Sequence, residues 1–203
     1  VALLLSAAGR GASTVTLLLV GIGLSSLAGA LTSLALNLAP NPYSLSDLIN
    51  WMLGSVANRS WADVGMAAPA WALGAVAVMM AGPSLRALSL GEETAASLGV
   101  NPARARLLII IGTSLLAGAS VAVAGTIGFV GMVAPHIVRP LVKHDPQRVL
   151  LPSALAAGAM LLGADMLVRV LPFSQELKLG VAAALFGAPV FIWIAARLGG
   201  STR

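Results

Sequence analysis

No cysteine stands among the 203 residues, which excludes disulfides and thiolate metal sites. Charge is nearly as scarce, at 9% of residues against about a quarter in a soluble domain. Only four phenylalanines and one tyrosine accompany the four tryptophans, too few to stack bases along a groove. The net charge of +5 is not gathered into a stripe, so nucleic acid is excluded as a partner. No P-loop, H-E-x-x-H, paired carboxylates or G-x-S-x-G occurs, and the chain reads as a non-enzyme with no cofactor and no metal. Any energy from nucleotide has to come from another chain. The first residue is Val1, and no short leader pattern precedes it, so the chain is expected to be truncated and to begin inside a larger membrane domain.

What the chain has is apolar length: 58% of its residues are hydrophobic, and 22 are glycine. A membrane-crossing helix needs about 20 apolar residues. Six segments qualify or nearly so: Thr14–Ala39, Val64–Met80, Leu107–Ala124, Ile127–Leu141, Val149–Leu171 and Leu179–Ile194. The fourth follows Gly125-Thr126-Ile127-Gly128-Phe129-Val130-Gly131 and contains Pro135, so it is expected to be short, bent or irregular. Backbone of that kind survives at membrane depth only when covered by protein or lining a wet cavity. Between the first two spans, Leu45–Val56 reads as a short helix beginning at Ser44 or Ser46, too short to cross. The expected fold is all-α, a polytopic membrane helical bundle.

Six crossings leave seven flanks, and nine of the twelve basic residues fall on one alternate set: Arg10, Arg86, Arg104, Arg106, Arg139, Lys143, Arg148, Arg197 and Arg203. Arg59, Arg169 and Lys178 fall on the other. The excess of positive charge marks the cytoplasmic side. Tyr43, Trp51 and Trp61 then lie in an outer aromatic belt, and Trp193 marks the inner one.

Among the inner flanks lies a polar island, Ser84 to Arg106, between uncharged stretches. Ser89 with Glu92 reads as a capping box, and Glu92 and Glu93 fall where the helix dipole favours acids. Gly99 can end that short helix in the left-handed conformation, after which Asn101 can cap a second helix opened by Pro102. A structured turn on a membrane surface is expected to touch a partner.

Within the spans, Gly21, Ser25, Gly29, Ser33 and Asn37 recur every four residues. Such a stripe suits tight helix packing, and it also suits the wall of a pathway for water or solute. Asp165 and Arg169 stand at i, i+4 near an outer end, where an intrahelical ion pair satisfies both. His136 follows Pro135 and reads as a hydrogen-bonded structural group. His144, in an inner loop, has no partner by spacing. Ser120 and His136 lack the glycines of a nucleophile elbow.

Three ordered motifs carry a family resemblance. They are Leu90-Gly91-Glu92-Glu93-Thr94-Ala95-Ala96-Ser97-Leu98-Gly99-Val100, then Ala124 through Arg139 with Gly125, Gly128, Gly131, Pro135 and His136, then Gly187-Ala188-Pro189-Val190-Phe191-Ile192-Trp193. Trp51-Met52-Leu53-Gly54-Ser55 and His144-Asp145-Pro146-Gln147-Arg148 extend the likeness. The chain resembles the FecCD family, permeases of bacterial type II ABC importers for iron-siderophore, haem and vitamin B12 uptake. Residues 1–203 would be a single transmembrane permease domain, the last six helices of a ten-helix permease, with Val1–Gly9 as the tail of the preceding helix. The resemblance implies a bacterial cytoplasmic-membrane location and a second permease subunit, identical or related. It also implies two ABC ATPase subunits below and a periplasmic or lipid-anchored substrate-binding protein above.

Residues 84–106 become the cytoplasmic coupling loop, with Ser89, Gly91, Glu92, Glu93, Leu98 and Gly99 as its coupling residues. Gly21, Ser25, Gly29, Ser33 and Asn37 become the pathway wall, gated from outside by the Leu45–Val56 helix. Arg169 corresponds to an arginine that meets an acid on the binding protein, with Arg59 as a second outer docking residue. At Glu176-Leu177-Lys178-Leu179-Gly180 the chain carries Lys178 where the family usually has proline, which relaxes the entry to the last helix. The rival reading is a secondary transporter or ion channel that uses Asp165 and His136 as a relay, and a weaker one is an intramembrane hydrolase.

Overall fold

The computed structural model describes residues 14–170 and 177–199. Val1–Gly9, Arg10, Glu176 and Arg203 lie outside the described residues, as do the side chains of Trp193 and Arg197. The described chain contains α-helices and no strand: α1 (Thr14–Asn37), α2 (Pro42–Met52), α3 (Trp61–Leu88), α4 (Glu92–Ser97), α5 (Pro102–Ala124), α6 (Val130–Val138), α7 (Leu150–Val170) and α8 (Leu179–Gly199). The expected all-α membrane bundle is what the chain forms.

Helices α1, α3, α5 and α7 are long and apolar enough to cross a bilayer. Helix α8 has 21 residues. The fourth expected span yields only α6, nine residues containing Pro135. At 1.5 Å per residue it covers about 14 Å, less than half the hydrocarbon thickness. Irregular backbone from Gly125 to Phe129 precedes it.

Two expected boundaries and one expected cap are corrected. Helix α2 begins at Pro42, and its cap is Asn41, whose Oδ1 accepts the Ser44 N–H at 2.9 Å, rather than Ser44 or Ser46. Helix α3 runs on through Pro83 and Arg86 to Leu88, while α5 begins at Pro102 as expected and continues unbroken through the third span, so both rims of the polar island belong to the long helices. The Ser89–Glu92 capping box does not form. Gly91 is the N-cap residue and gives no side-chain bond, while Ser89 Oγ donates to the Arg86 carbonyl at 2.7 Å.

Contacts divide the described residues into two compact units, 14–49 with 65–119, and 50–64 with 120–170 and 177–199. In the first, α3 and α5 approach backbone to backbone. A Cβ at Gly74 would lie 2.9 Å from the Gly112 carbonyl oxygen, and a Cβ at Gly112 would lie 2.9 Å from that of Gly74. Small residues at a helix crossing allow this closeness, which in lipid replaces the missing hydrophobic drive. Ala67, Gly74, Ala77 and Ala81 form the buried face of α3. In the second unit α6, α7 and α8 pack on one another, with Val133, Ala134, Val138, Leu179, Ala182 and Ala183 buried.

Candidate functional site

The turn between α3 and α5 is closed by three local devices. Gly91 has φ 102° and ψ 153°, a region open essentially to glycine alone, and it redirects the chain out of α3. At the far end of α4 the Gly99 N–H donates to the Ala96 carbonyl at 2.9 Å, and the Val100 N–H to that of Ala95 at 3.0 Å. With Gly99 at φ 80° this pair is a Schellman motif. Asn101 Oδ1 then accepts the N–H groups of Ala103 (3.0 Å) and Arg104 (3.2 Å), capping α5 as expected. Glu92 and Glu93 occupy the first turn of α4. Glu92 is bound by the Arg106 guanidinium, a partner that spacing alone did not suggest. Leu90 and Leu98, each 63% exposed, stand at either end of the short helix, while Ala95 is fully buried.

A second junction joins Trp51–Ser55, Ala122–Thr126 and the start of α8. The Ser55 N–H donates to the Ala124 carbonyl at 2.7 Å, the Gly180 N–H to Gly54 at 3.1 Å, and the Trp51 indole N–H to Ala122 at 3.4 Å. These three chain ends all belong to the flank set that charge counting puts outside. Space is absent here. A Cβ on Gly54 would strike Thr126, one on Gly125 would strike Trp51, and one on Gly180 would strike Leu53. Gly54 and Gly125 also have positive φ, 70° and 72°.

An apolar cleft of about 600 Å³ opens beside this junction, lined by Met52, Leu53, Thr126, Phe129, Leu185 and Pro189 among others. Phe129 has φ 65° and ψ −36°, and the Val130 N–H closes on the Gly128 carbonyl at 2.8 Å. That is a γ-turn of the rare positive-φ kind, centred on an aromatic residue, and it starts α6. Its Cβ is where a side chain on Gly187 would go, 2.6 Å away. The glycine spacing of the Ala124–Arg139 motif was legible, but the strain at Phe129 was not.

The remaining candidates are placed as follows. Gly21, Ser25, Gly29, Ser33 and Asn37 all lie on α1, and no described part of the chain fills the space beside Gly21 or Gly29. Ser25, Gly29, Ser33 and Asn37 are exposed. Arg169 Nε donates to Asp165 Oδ2 at 2.8 Å, the expected pair within α7. Arg59 is exposed beside Asn58, a non-glycine at φ 58°. His136 Nδ1 lies 2.9 Å from the Met132 carbonyl oxygen. Among the described residues no group of His, Asp and Glu could hold a metal. In the inner loop, Asp145 Oδ1 accepts the N–H groups of Gln147 (2.9 Å) and Arg148 (3.2 Å), and a cavity of about 260 Å³ opens between Arg139, His144 and Asp145.

Long apolar helices, a short proline-containing helix and a built surface turn define the class: a multi-pass α-helical membrane protein. The FecCD transport family matches residues 1–197, and the chain belongs to that family. It is 40% identical over 191 residues to the vitamin B12 import system permease protein BtuC of Vibrio cholerae, covering 91% of this chain and 55% of that one. It is 37% identical over 183 residues to the Fe(3+) dicitrate transport system permease protein FecC of Escherichia coli (90% and 54%). Against the hemin transport system permease protein HmuU of Yersinia pestis it is 36% identical over 182 residues (89% and 54%). A solved chain of a metal-chelate type ABC transporter in an inward-facing conformation superposes with a TM-score of 0.84 at 31% identity, over 91% of this chain and 60% of that one. The chain thus spans about half the length of the curated relatives it matches. Members of this family are multi-pass proteins of the cytoplasmic membrane, and this chain is one.

Proposed function

We propose that the chain is the membrane-spanning part of an ABC importer permease that carries an iron chelate, with cobalamin or haem as the neighbouring cargo chemistries. The observation that carries the reading is the match of residues 1–197 to the FecCD transport family. The Gly91–Asn101 turn, redirected at Gly91 and closed at its far end by the Schellman pair and the Asn101 cap, adds a physical reason. A partner that pushes on such a turn moves helices rather than deforming a loop. Two ATP-hydrolysing subunits press on Ser89, Gly91, Glu92, Glu93, Leu98 and Gly99 from the cytoplasmic side. A second permease completes the pathway along Gly21, Ser25, Gly29, Ser33 and Asn37. A substrate-binding protein docks outside on Arg169 and Arg59, where charges at an exposed rim chiefly govern association rate. Nucleotide-driven closure below shifts the permease between its two access states.

The test is uptake by the full-length permease with its ATPase and binding protein in liposomes, offered a ferric siderophore, cobalamin and haem in turn. ATP-dependent accumulation of the siderophore complex is expected. Uptake driven by a proton gradient without ATP, and lost in Asp165→Asn, would overturn the reading in favour of a relay. The Asp165–Arg169 pair and the His136–Met132 contact support structural roles for both relay candidates.

A further inference from the structure

We infer that Arg106 is a positioning residue that clamps the coupling turn to α5, with Glu92 as its inward strut and Glu93 as the acid presented to the ATP-hydrolysing partner. The inference rests on the proposed coupling role of the turn and divides its labour. Adjacent residues on a helix point about 100° apart, so Glu92 and Glu93 cannot serve the same face. Arg106 takes Glu92, and its own side chain is only 14% exposed, against 55% for Glu92. A guanidinium withdrawn from water in this way suits a fixed ion pair, and removing Glu92 takes a counter-charge from it. Glu93, one position on, is exposed.

The attachment of α4 is lopsided. Toward α5 it is held by the Schellman pair at Gly99 and Val100, by the Asn101 cap and by the Arg106–Glu92 bridge. Toward α3 the link is Leu90–Gly91, exposed, whose N–H groups donate to the Ala87 (3.0 Å) and Leu88 (3.1 Å) carbonyls at the end of α3, with nothing within 4 Å of a Cβ at Gly91. Helix α4 is therefore a rigid extension of α5 and is hinged on α3 at Gly91. A push on α4 is delivered to α5, and α3 follows through the Gly74–Gly112 crossing. Without the bridge, the N-terminal end of α4 would swing about Gly99, and the push would be spent within the turn.

The experiment is a charge exchange in the assembled full-length importer, read as ATPase activity stimulated by the loaded binding protein, with basal activity and membrane insertion measured alongside. Glu92→Arg and Arg106→Glu should each lower stimulation about five- to tenfold, and the two together should restore it to within about twofold. Glu93→Arg should lower stimulation comparably and should not be restored by Arg106→Glu. Both glutamate reversals oppose the helix dipole equally, so the difference in rescue isolates the bridge. As a second measurement, Glu92→Cys with Arg106→Cys, joined by a short bifunctional thiol reagent, should keep stimulation near that of the parent. Loss of stimulation on joining, or failure of the exchange to rescue while Glu93→Arg still uncouples, overturns the clamp alone. If Glu93→Arg and Gly91→Pro both leave stimulation intact, the coupling reading itself falls.

Discussion

Two of the described glycine junctions restrict the chain for different reasons. At the turn that carries α4, Gly91 and Gly99 adopt left-handed or glycine-only backbone, yet a Cβ on either would meet nothing. At the junction of Trp51–Ser55 with Gly125 and Gly180, the backbone angles and the space are both restrictive, because three chain segments touch main chain to main chain. The first is shaped by conformation alone, so it stays free on its outer side. The second is an interlock. One junction is built to be reached, the other to stay shut.

The sharpest way to break this contrast is at Gly125. Gly125→Ala adds a methyl group into the Trp51 carbonyl and forces alanine to φ 72°. Strain and overpacking each cost about 1–3 kcal/mol, so the largest loss of stability in the chain is expected here, read as detergent-resistant unfolding of the full-length protein. Survival of Gly125→Ala with parental stability would mean the segments are not interlocked. At Gly91 the same change carries only the backbone cost, about 1–3 kcal/mol, with no collision. Gly91→Ala should therefore reduce stimulated ATPase activity while lowering stability less than Gly125→Ala does, by the missing collision term of about 1–3 kcal/mol. A large stability loss at Gly91 would erase the distinction.

Much of the fold was legible because its signals are local or compositional. Span length and loop charge require no tertiary knowledge, and Asn101-Pro102 carries its cap within three residues. The same Asn-Pro device stands at Asn41-Pro42, but there Ser44 and Ser46 offer rival caps in the sequence, and only the fold decides for Asn41. Illegible were the features that depend on chain segments far apart. Arg106 reaches Glu92 across fourteen residues, and Gly74 finds Gly112 across a turn whose shape sets the meeting. The small-residue stripe of α1 shows the converse: the pattern was plain, but its partner is not among the described residues. Periodicity shows that a face exists and is silent on what covers it.

Phe129 tests whether the second junction stores strain beyond its contacts. Phe129→Ala and Phe129→Gly both delete the ring from the cleft, but only glycine is at ease at φ 65°. If the γ-turn is held against its own preference, the glycine variant should be the more stable of the two by about 1 kcal/mol. Elsewhere on a helix that ranking reverses, since glycine is ordinarily worse than alanine by roughly 0.5–1 kcal/mol. Thermal unfolding of the two variants in detergent decides it. An alanine variant as stable as the glycine one would mean the turn is not strained.

The smallest expected effect separates two look-alike sequence patterns. Ser60-Trp61-Ala62-Asp63 and Ser89-Leu90-Gly91-Glu92 both read as a serine followed three residues later by an acid. At the first, the Ser60 N–H donates to Asp63 Oδ2 at 2.8 Å and the Asp63 N–H returns to Ser60 Oγ at 3.4 Å, which is a closed capping box. At the second, Gly91 turns the chain through φ 102°, Ser89 is bound back to α3, and Glu92 is drawn away to Arg106. Ser60→Ala should therefore cost about 1 kcal/mol, the usual loss for an N-cap. Ser89→Ala should cost no more than about 0.5 kcal/mol, as an exposed hydroxyl bonded to its own helix. Equal losses at the two serines would mean that Ser89 caps α4 after all. The orientation given to Gly91, on which the hinge between α3 and α4 depends, would then be wrong.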